Sequence, residues 1–216
     1  MRIGILGAGH IGGTAARLFV RAGHDVEVSN SRGPDSLREL VAELGPRARA
    51  GTIQDAAAFG DVVLLAVPWR AQEAMPRPET VAGKIVIDAM NPYTPTGGIY
   101  DLGGSTSSEE VQKRLPGARL VKAFNTMHYR TLASEGRPDR PFEERLAIFL
   151  AGDDADAKRV VAELIEKIGF APVDTGSLRE GGRSQQPGSP IYNRPLTGRE
   201  AREAVARGAG SAPGSD

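Results

Sequence analysis

A glycine-rich hexamer, GAGHIG at residues 7–12, most constrains the fold because it separates a short apolar run from a stretch with helical spacing. The preceding run, RIGIL, is typical of a buried strand, and the following IGGTAARLFVRAG is typical of an amphipathic helix. Glycines between a strand and a helix form the pattern of a loop that binds the pyrophosphate of a dinucleotide. The hexamer therefore predicts a dinucleotide site, with a purely structural turn as the alternative.

Individual positions of the hexamer have distinct expected roles. Gly7 permits the tight turn off the strand, Gly9 lets a pyrophosphate approach the backbone, and Gly12 allows close packing of helix on strand. A helix that begins near Ile11 directs free N–H groups and its positive dipole end at the phosphates. We expect His10 to line this loop through its backbone, with a side-chain contact to the ligand as the alternative.

Short apolar runs alternate with helical patterns along the rest of the chain, which is typical of a parallel sheet covered on both faces. The order predicts an α/β fold with a doubly wound, mostly parallel sheet of the Rossmann type, whose ligand lies at the carboxyl ends of the strands. We assign residues 1–178 to this domain and residues 179–216 to a short C-terminal tail that is partly disordered. The strand candidates are RIGIL, DVEVS, DVVLLAV, KIVIDA, RLVKAF and RLAIFLAG, with FAPVD as one more. The later helix candidates are PDSLRELVAELG, SSEEVQKRL and DADAKRVVAELIEKIG, the last of which is preceded by aspartates that suit an N-cap.

The composition excludes several classes of function. The 27 basic residues balance the 27 acidic ones, so no overall field attracts the 216-residue chain to nucleic acid or to an anionic membrane. There is no cysteine, and the three histidines are well separated, so we expect neither disulfides nor a metal site. The N-terminus lacks a signal-peptide pattern, and no later run approaches the roughly 20 apolar residues of a membrane span. We expect one main domain that is cytoplasmic and binds a small molecule.

The end of the second predicted strand decides which dinucleotide is bound. An NAD site usually has a carboxylate about 20 residues past the glycines. Here the strand DVEVS leads into Asn30, Ser31 and Arg32, with no acid at the tip. A hydroxyl and a guanidinium bind a 2′-phosphate that a carboxylate would repel, so NADP(H) is favoured over NAD(H). The alternative is a polar surface turn, and Arg38 in the next helix is more typical of a solvent-facing charge.

Three further strand ends, AVPWR, DAMNPY and KAFNTMHYR, carry residues that a plain strand-to-helix connection does not need. In a parallel sheet, all three meet the glycine loop at one edge. Pro68 and Pro92 suit a wall against a flat nicotinamide ring, or simply end their strands. Asn91 and Asn125 are candidates for hydrogen bonds to the ribose or the carboxamide, with ordinary turn positions as the alternative.

The segments MRIGILGAGHIG, SNSR, DVVLLAVPW, DAMNP, LVKAFNT and FLAGDDADAK together resemble the NADPH-dependent reductases of the deazaflavin coenzyme F420. The resemblance covers residues 1–178. It implies hydride exchange between NADP(H) and a deazaflavin, with Ser31 and Arg32 at the 2′-phosphate. It also places residues near the nicotinamide and the transfer site, namely Val67, Pro68, Trp69, Ala123 and Asn125.

The C-terminal sequence departs from that family, whose members usually end in an apolar helical segment that completes the deazaflavin pocket. Here only residues 199–206 are predicted to form a short helix, and the last residues are rich in Gly, Ser and Ala. Residues 185–193 form either a surface tail or a lid that carries Tyr192 or Asn193 to the substrate. The C-terminal segment of that family also helps to form a dimer, so the unusual segment here leaves both a homodimer and a monomer as alternatives.

Hydride transfer between two flat rings needs no nucleophile, because the protein mainly stacks the rings and excludes water. We therefore expect an NADP-dependent oxidoreductase that acts on a deazaflavin or flavin-like small-molecule acceptor. If the acceptor is instead a small carbonyl or imine, a proton donor is required, and His128 or Tyr129 is the candidate. A non-catalytic NADPH sensor is the third alternative.

Overall fold

An eight-stranded sheet runs through the protein, with strand order β3-β2-β1-β4-β5-β6-β7-β8. Neighbouring strands are parallel except β6 and β7, which are antiparallel. The computed structural model describes residues 1–71 and 74–209. The strands span Arg2–Leu6 (β1), Asp25–Ser29 (β2), Ala48–Ala50 (β3), Val62–Leu65 (β4), Ile85–Asp88 (β5), Arg119–Ala123 (β6), Ala147–Gly152 (β7) and Ala171–Asp174 (β8).

Helices cover both faces of this sheet. One apolar cluster joins the sheet to α1, α2, α6 and α7, and a second joins the opposite face to α3, α4 and α5. The prediction of a doubly wound, mostly parallel Rossmann-type sheet is confirmed. The helices span His10–Arg21 (α1), Arg38–Leu44 (α2), Ile53–Phe59 (α3), Pro78–Val81 (α4), Ser107–Arg114 (α5), Tyr129–Ser134 (α6), Ala155–Lys167 (α7), Glu180–Ser184 (α8) and Gly198–Ala209 (α9).

Side-chain caps determine where several helices begin. Thr52 and Thr106 form capping boxes at α3 and α5, in which each hydroxyl accepts from the backbone N–H three residues on. The Asp154 carboxylate accepts from the backbone N–H of Ala157 at 2.9 Å, which confirms the predicted aspartate cap of α7. These N-caps determine the residue at which each of α3, α5 and α7 begins.

Some elements escaped prediction because their sequence patterns are short. Strand β3 has only three residues, and Arg49 at its centre interrupts the apolar run. Helices α3 and α6 have seven and six residues, fewer than two turns each, which is too short for a repeated apolar pattern to stand out. The segment PDSLRELVAELG begins as a 3-10 turn at Pro34–Leu37 before it becomes α2.

The C-terminal segment packs against β7 and β8. Ile191 and Ala201 belong to a third apolar cluster with Phe149 and Val173. Helix α9 includes the predicted helical residues 199–206. The expectation of disorder at the extreme C-terminus concerns residues 210–216, which lie outside the described residues.

Within the described part of the chain, no helix has both the length and the apolar character needed to cross a membrane.

Candidate functional site

A cleft of about 630 Å³ opens at the carboxyl ends of β1, β2, β4 and β5. It lies where the strand order reverses between β1 and β4, which is the usual ligand position in a doubly wound sheet. The glycine loop after β1 forms one side, and the chain after β4 and β5 forms the other. Sequence-predicted residues that line it are Gly7, Gly9, His10, Ile11, Asn30, Ser31, Arg32, Val67, Pro68, Trp69 and Asn91.

The three glycines of the loop are required for different physical reasons. Gly7 has φ +102, and a Cβ there would lie 2.4 Å from the carbonyl oxygen of Ala66. A Cβ on Gly12 would lie 1.8 Å from the Gly7 oxygen, so the close helix–strand packing predicted for this position is present. Among the described residues, no atom lies within 4 Å of a Cβ built on Gly9, because this position faces open space in the cleft. The absence of a side chain at Gly9 therefore leaves room for a ligand, whereas its absence at Gly12 lets α1 pack closely against the loop after β1.

The first turn of α1 suits an anion. Gly9 is the N-cap and supplies no side-chain cap, and no acidic residue lies in the first turn. The 12-residue helix thus directs uncapped N–H groups and its positive dipole end into the cleft. The His10 ring stacks on Tyr129 at the start of α6, with centroids 4.1 Å apart and planes 14° apart. This stack ties the glycine loop to α6.

The tip of β2 borders the same cleft. The Asn30 carboxamide oxygen accepts from the backbone N–H of Arg32 at 2.9 Å, which closes a turn and leaves Ser31 and Arg32 exposed. Among the described residues, the Arg32 guanidinium forms no ion pair. Arg38, by contrast, is paired with Asp35 at 2.6 Å and lies outside the cleft, as expected of a solvent-facing charge. Arg32 is thus the guanidinium available to a ligand here.

The chain after β4 forms an apolar wall. Val67 and Trp69 are buried and Pro68 is exposed, and all three line the cleft. The guanidinium of Arg114 lies over the Trp69 ring, 5.8 Å from its centroid. This contact, together with the apolar cluster around Trp69, holds the wall in place.

Asn91 and Asn125 bind each other. The Asn125 amide nitrogen donates to the Asn91 carboxamide oxygen at 3.1 Å, and the Asn91 amide nitrogen donates to the Asn125 backbone oxygen at 3.0 Å. Asn125 also donates to the backbone oxygen of Gln185 at 2.8 Å. The two side chains therefore join the ends of β5 and β6 to the C-terminal segment, a role that single-residue patterns do not reveal.

Not every predicted site residue reaches the cleft. Ala123 is fully buried and Asn125 is 4% exposed, and neither lines the cleft, because β6 lies two strands from the reversal point. Pro92 is also buried outside the lining. His128 is exposed outside the cleft, where its Nδ1 atom accepts from the backbone N–H of Arg130 and caps α6. In this geometry His128 is a hydrogen-bonded cap of α6 that lies outside the cleft.

Other lining residues were not singled out from the sequence. They include Ala89, Met90, Tyr93 and Thr94, which follow β5 within or beside the DAMNPY segment. Their position just after a strand end was the available signal. Tyr93 is the most informative, because its aromatic ring is 39% exposed beside the cleft.

The donor set fits a phosphorylated dinucleotide. Among the described residues that line the cleft, none has a carboxylate side chain, whereas Arg32, Arg70 and the start of α1 contribute positive charge. Gly9 leaves a cradle that a Cβ would fill. The fold and the cleft together define a dinucleotide-binding protein of the Rossmann class.

Comparisons with known proteins agree with this class. Residues 2–92 match the family described as NADP oxidoreductase, coenzyme F420-dependent. The F420-dependent NADP reductase of Methanothermobacter thermautotrophicus is 29% identical, and the match covers 82% of each chain. A solved structure of a hypothetical protein from Sinorhizobium meliloti is 39% identical with a TM-score of 0.79, covering 91% of this chain and 95% of that one. Residues 2–92 of this chain are therefore similar to the family of coenzyme F420-dependent NADP oxidoreductases.

A second curated relative is much longer. Metalloreductase STEAP3 of Rattus norvegicus is 28% identical over 82% of this chain, but the match spans only 34% of the rat protein. The matched family and these relatives are reductases or oxidoreductases, which supports the class of NADP-dependent oxidoreductases for this chain, and their differing names leave the electron acceptor open.

Proposed function

We propose that the protein transfers a hydride between NADP(H) and a deazaflavin or flavin-like acceptor. The observation that carries the cofactor half of this proposal is Arg32, an exposed guanidinium beside Ser31 on the edge of a cleft that begins at the glycine loop. A guanidinium and a hydroxyl are complementary to a 2′-phosphate. The name of the archaeal relative and the description of the matched family support the deazaflavin half.

Bound NADPH supplies two electrons and one proton as a hydride from C4 of its nicotinamide. The overall change is balanced when NADPH, one proton and the oxidised acceptor become NADP⁺ and the two-electron-reduced acceptor. The chain's own contribution is positional: α1 holds the diphosphate, the tip of β2 holds the 2′-phosphate, and Pro68 and Trp69 form the wall beside the rings. Apolar walls also exclude water from the transfer path.

Comparing NADPH and NADH affinity by calorimetry tests the cofactor assignment. Replacing Arg32 with Ala removes a charge-assisted contact, so we expect its NADPH Kd to rise about 10- to 100-fold while the NADH Kd stays nearly constant. Arg38→Ala is the matched control, because Arg38 is exposed nearby but pairs with Asp35 away from the cleft. Equal NADPH and NADH affinities in the unmodified protein would remove the 2′-phosphate assignment.

Steady-state oxidation of NADPH tests the acceptor assignment. Coenzyme F420 and FMN are supplied in parallel, with a small imine as the comparison. We expect turnover with at least one of the two ring acceptors. Turnover with the imine alone would replace the proposed acceptor class, and binding of NADPH without turnover of any acceptor would favour a sensor.

A further inference from the structure

A tyrosine from the C-terminal segment forms a hydrogen bond with a tyrosine that lines the cleft. The hydroxyl oxygens of Tyr93 and Tyr192 are 3.0 Å apart, with Tyr93 donating to Tyr192. Tyr93 is 39% exposed at the cleft, whereas Tyr192 is only partly exposed and does not line it. The contact therefore links a cleft residue to a supporting residue 99 positions away.

The supporting residue is itself held. The Asn91 amide nitrogen donates to the Tyr192 hydroxyl oxygen at 3.2 Å, and the same nitrogen donates to the Asn125 backbone oxygen. Asn125 donates to the Asn91 carboxamide oxygen, so the orientation of the Asn91 amide is determined from both ends. Burial raises the pKa of Tyr192, and its contact with Tyr93 acts in the same direction, so its hydroxyl stays protonated near neutral pH.

Tyr93 has little other support. The residue follows Pro92 and opens an exposed turn in which Tyr93 forms an isolated antiparallel bridge with Ile99. The backbone N–H of Thr94 donates to the oxygen of Gly98 at 2.8 Å. These bonds shape the turn but do not aim the phenol ring. Its hydroxyl contact to Tyr192 is the side-chain interaction that does so.

We propose that Tyr93 contacts the hydride acceptor, and that Tyr192 is a positioning residue that holds the Tyr93 ring against the cleft. This inference rests on the proposed function and adds a specific acceptor-side residue to it. A flat conjugated acceptor suits this place, because an oriented aromatic ring offers a large apolar face at low entropic cost and a hydroxyl at its edge. The C-terminal segment thereby contributes to acceptor binding without covering the glycine loop.

The test compares Tyr93→Ala, Tyr192→Phe and the double variant in acceptor KM, kcat and NADPH Kd, with coenzyme F420 and FMN as the acceptors. Tyr93→Ala removes the ring, so we expect the acceptor KM to rise about tenfold or more while the NADPH Kd is unchanged. Tyr192→Phe removes the two hydrogen bonds that the Tyr192 hydroxyl accepts, from Tyr93 and from Asn91, and keeps the ring, so a rise of about three- to tenfold is expected. The thermal midpoint of Tyr192→Phe should stay close to that of the unmodified protein.

A double-mutant comparison separates positioning from independent contact. If Tyr192 acts through Tyr93, adding Tyr192→Phe to Tyr93→Ala produces no further rise in KM. Tyr100→Ala is the matched control, since Tyr100 lies on the same turn at 38% exposure but does not line the cleft. Its acceptor KM should equal that of the unmodified protein.

Each result that contradicts the proposal excludes a different part of it. An acceptor KM unchanged in Tyr93→Ala overturns the acceptor contact while leaving the proposed function intact. Fully additive effects overturn the positioning role of Tyr192. If the unmodified protein reduces neither coenzyme F420 nor FMN when NADPH is supplied, the proposed acceptor class fails, and this inference fails with it.

Discussion

Lys122 and Asp88 form a completely buried ion pair in the centre of the sheet, with Nζ 3.0 Å from Oδ2. They are register partners on β6 and β5. The ammonium also donates to the Met90 backbone oxygen and to the Ser107 hydroxyl, so all three of its protons have acceptors. Because Met90 lines the cleft, the hydrogen bond from Lys122 to the Met90 backbone oxygen supports one wall of the site.

Removing the cation should therefore be costly. Lys122→Met leaves the Asp88 carboxylate buried without a counter-charge, so we expect a loss of about 3–5 kcal/mol in the free energy of unfolding. Urea denaturation followed by circular dichroism measures this loss. The control adds Asp88→Asn to the same chain, which removes the stranded charge and should recover a large part of the stability. A double variant as unstable as the single one would show that charge is not the cause.

The second prediction concerns two glycines of the phosphate loop. Substitution of Gly12 should lower the stability of the fold, whereas substitution of Gly9 should weaken NADPH binding. Gly12→Ala places a Cβ 1.8 Å from the Gly7 oxygen and must displace backbone, so we expect the unfolding midpoint to fall. The added methyl group of Gly9→Ala meets no atom of the described part of the chain within 4 Å, so the fold should be unaffected. Its methyl group occupies the space into which the diphosphate would enter, so we expect the NADPH Kd to rise about tenfold or more.

Thermal unfolding and calorimetric titration of both variants check this separation. Gly23→Ala is unsuitable as a comparison, because Gly23 has φ +87 and strains any side chain. Gly208→Ala in α9 is the better control, since an added Cβ there lies more than 4 Å from the other atoms of residues 1–71 and 74–209 outside its own helix backbone. If Gly9→Ala binds NADPH as tightly as the unmodified protein, the diphosphate does not lie over Gly9.

Much of the fold can be predicted from local sequence patterns, whereas the ion pair and hydrogen bonds that connect different strands at the site cannot. The apolar runs predicted seven strands because residues buried on both faces read as continuous Val, Ile and Leu, and β3 was missed because Arg49 breaks its pattern. The glycine loop and the tip of β2 were recognised from residue type and spacing. The Asp88–Lys122 pair and the mutual Asn91–Asn125 bonds depend on strand register, which residue type alone does not reveal.

His24 provides a third prediction, about the pH dependence of stability. Its side chain is 3% exposed and packs edge-on against Phe19, with ring centroids 6.3 Å apart. Among the described residues, neither ring nitrogen has a hydrogen-bond partner. Burial lowers the pKa of the imidazole, and the positive charges of the N-terminus and Lys167 lower it further, against a smaller opposing effect of Asp25.

The sign of the effect follows from this direction. The unfolded chain binds a proton at His24 near the ordinary pKa of about 6.5, whereas the folded chain binds it only at lower pH. The folded state is therefore disfavoured as the pH falls below about 6.5, and this contribution is absent above that value. Replacing His24 with Leu removes the titrating group from a buried apolar position, so the loss of stability between neutral and mildly acidic pH should become smaller.

Urea unfolding at a series of pH values between neutral and mildly acidic measures this difference as a change in slope. We expect His24→Leu to reduce the slope relative to the unmodified protein. If His24→Leu has the same slope as the unmodified chain, protonation of His24 is not coupled to unfolding.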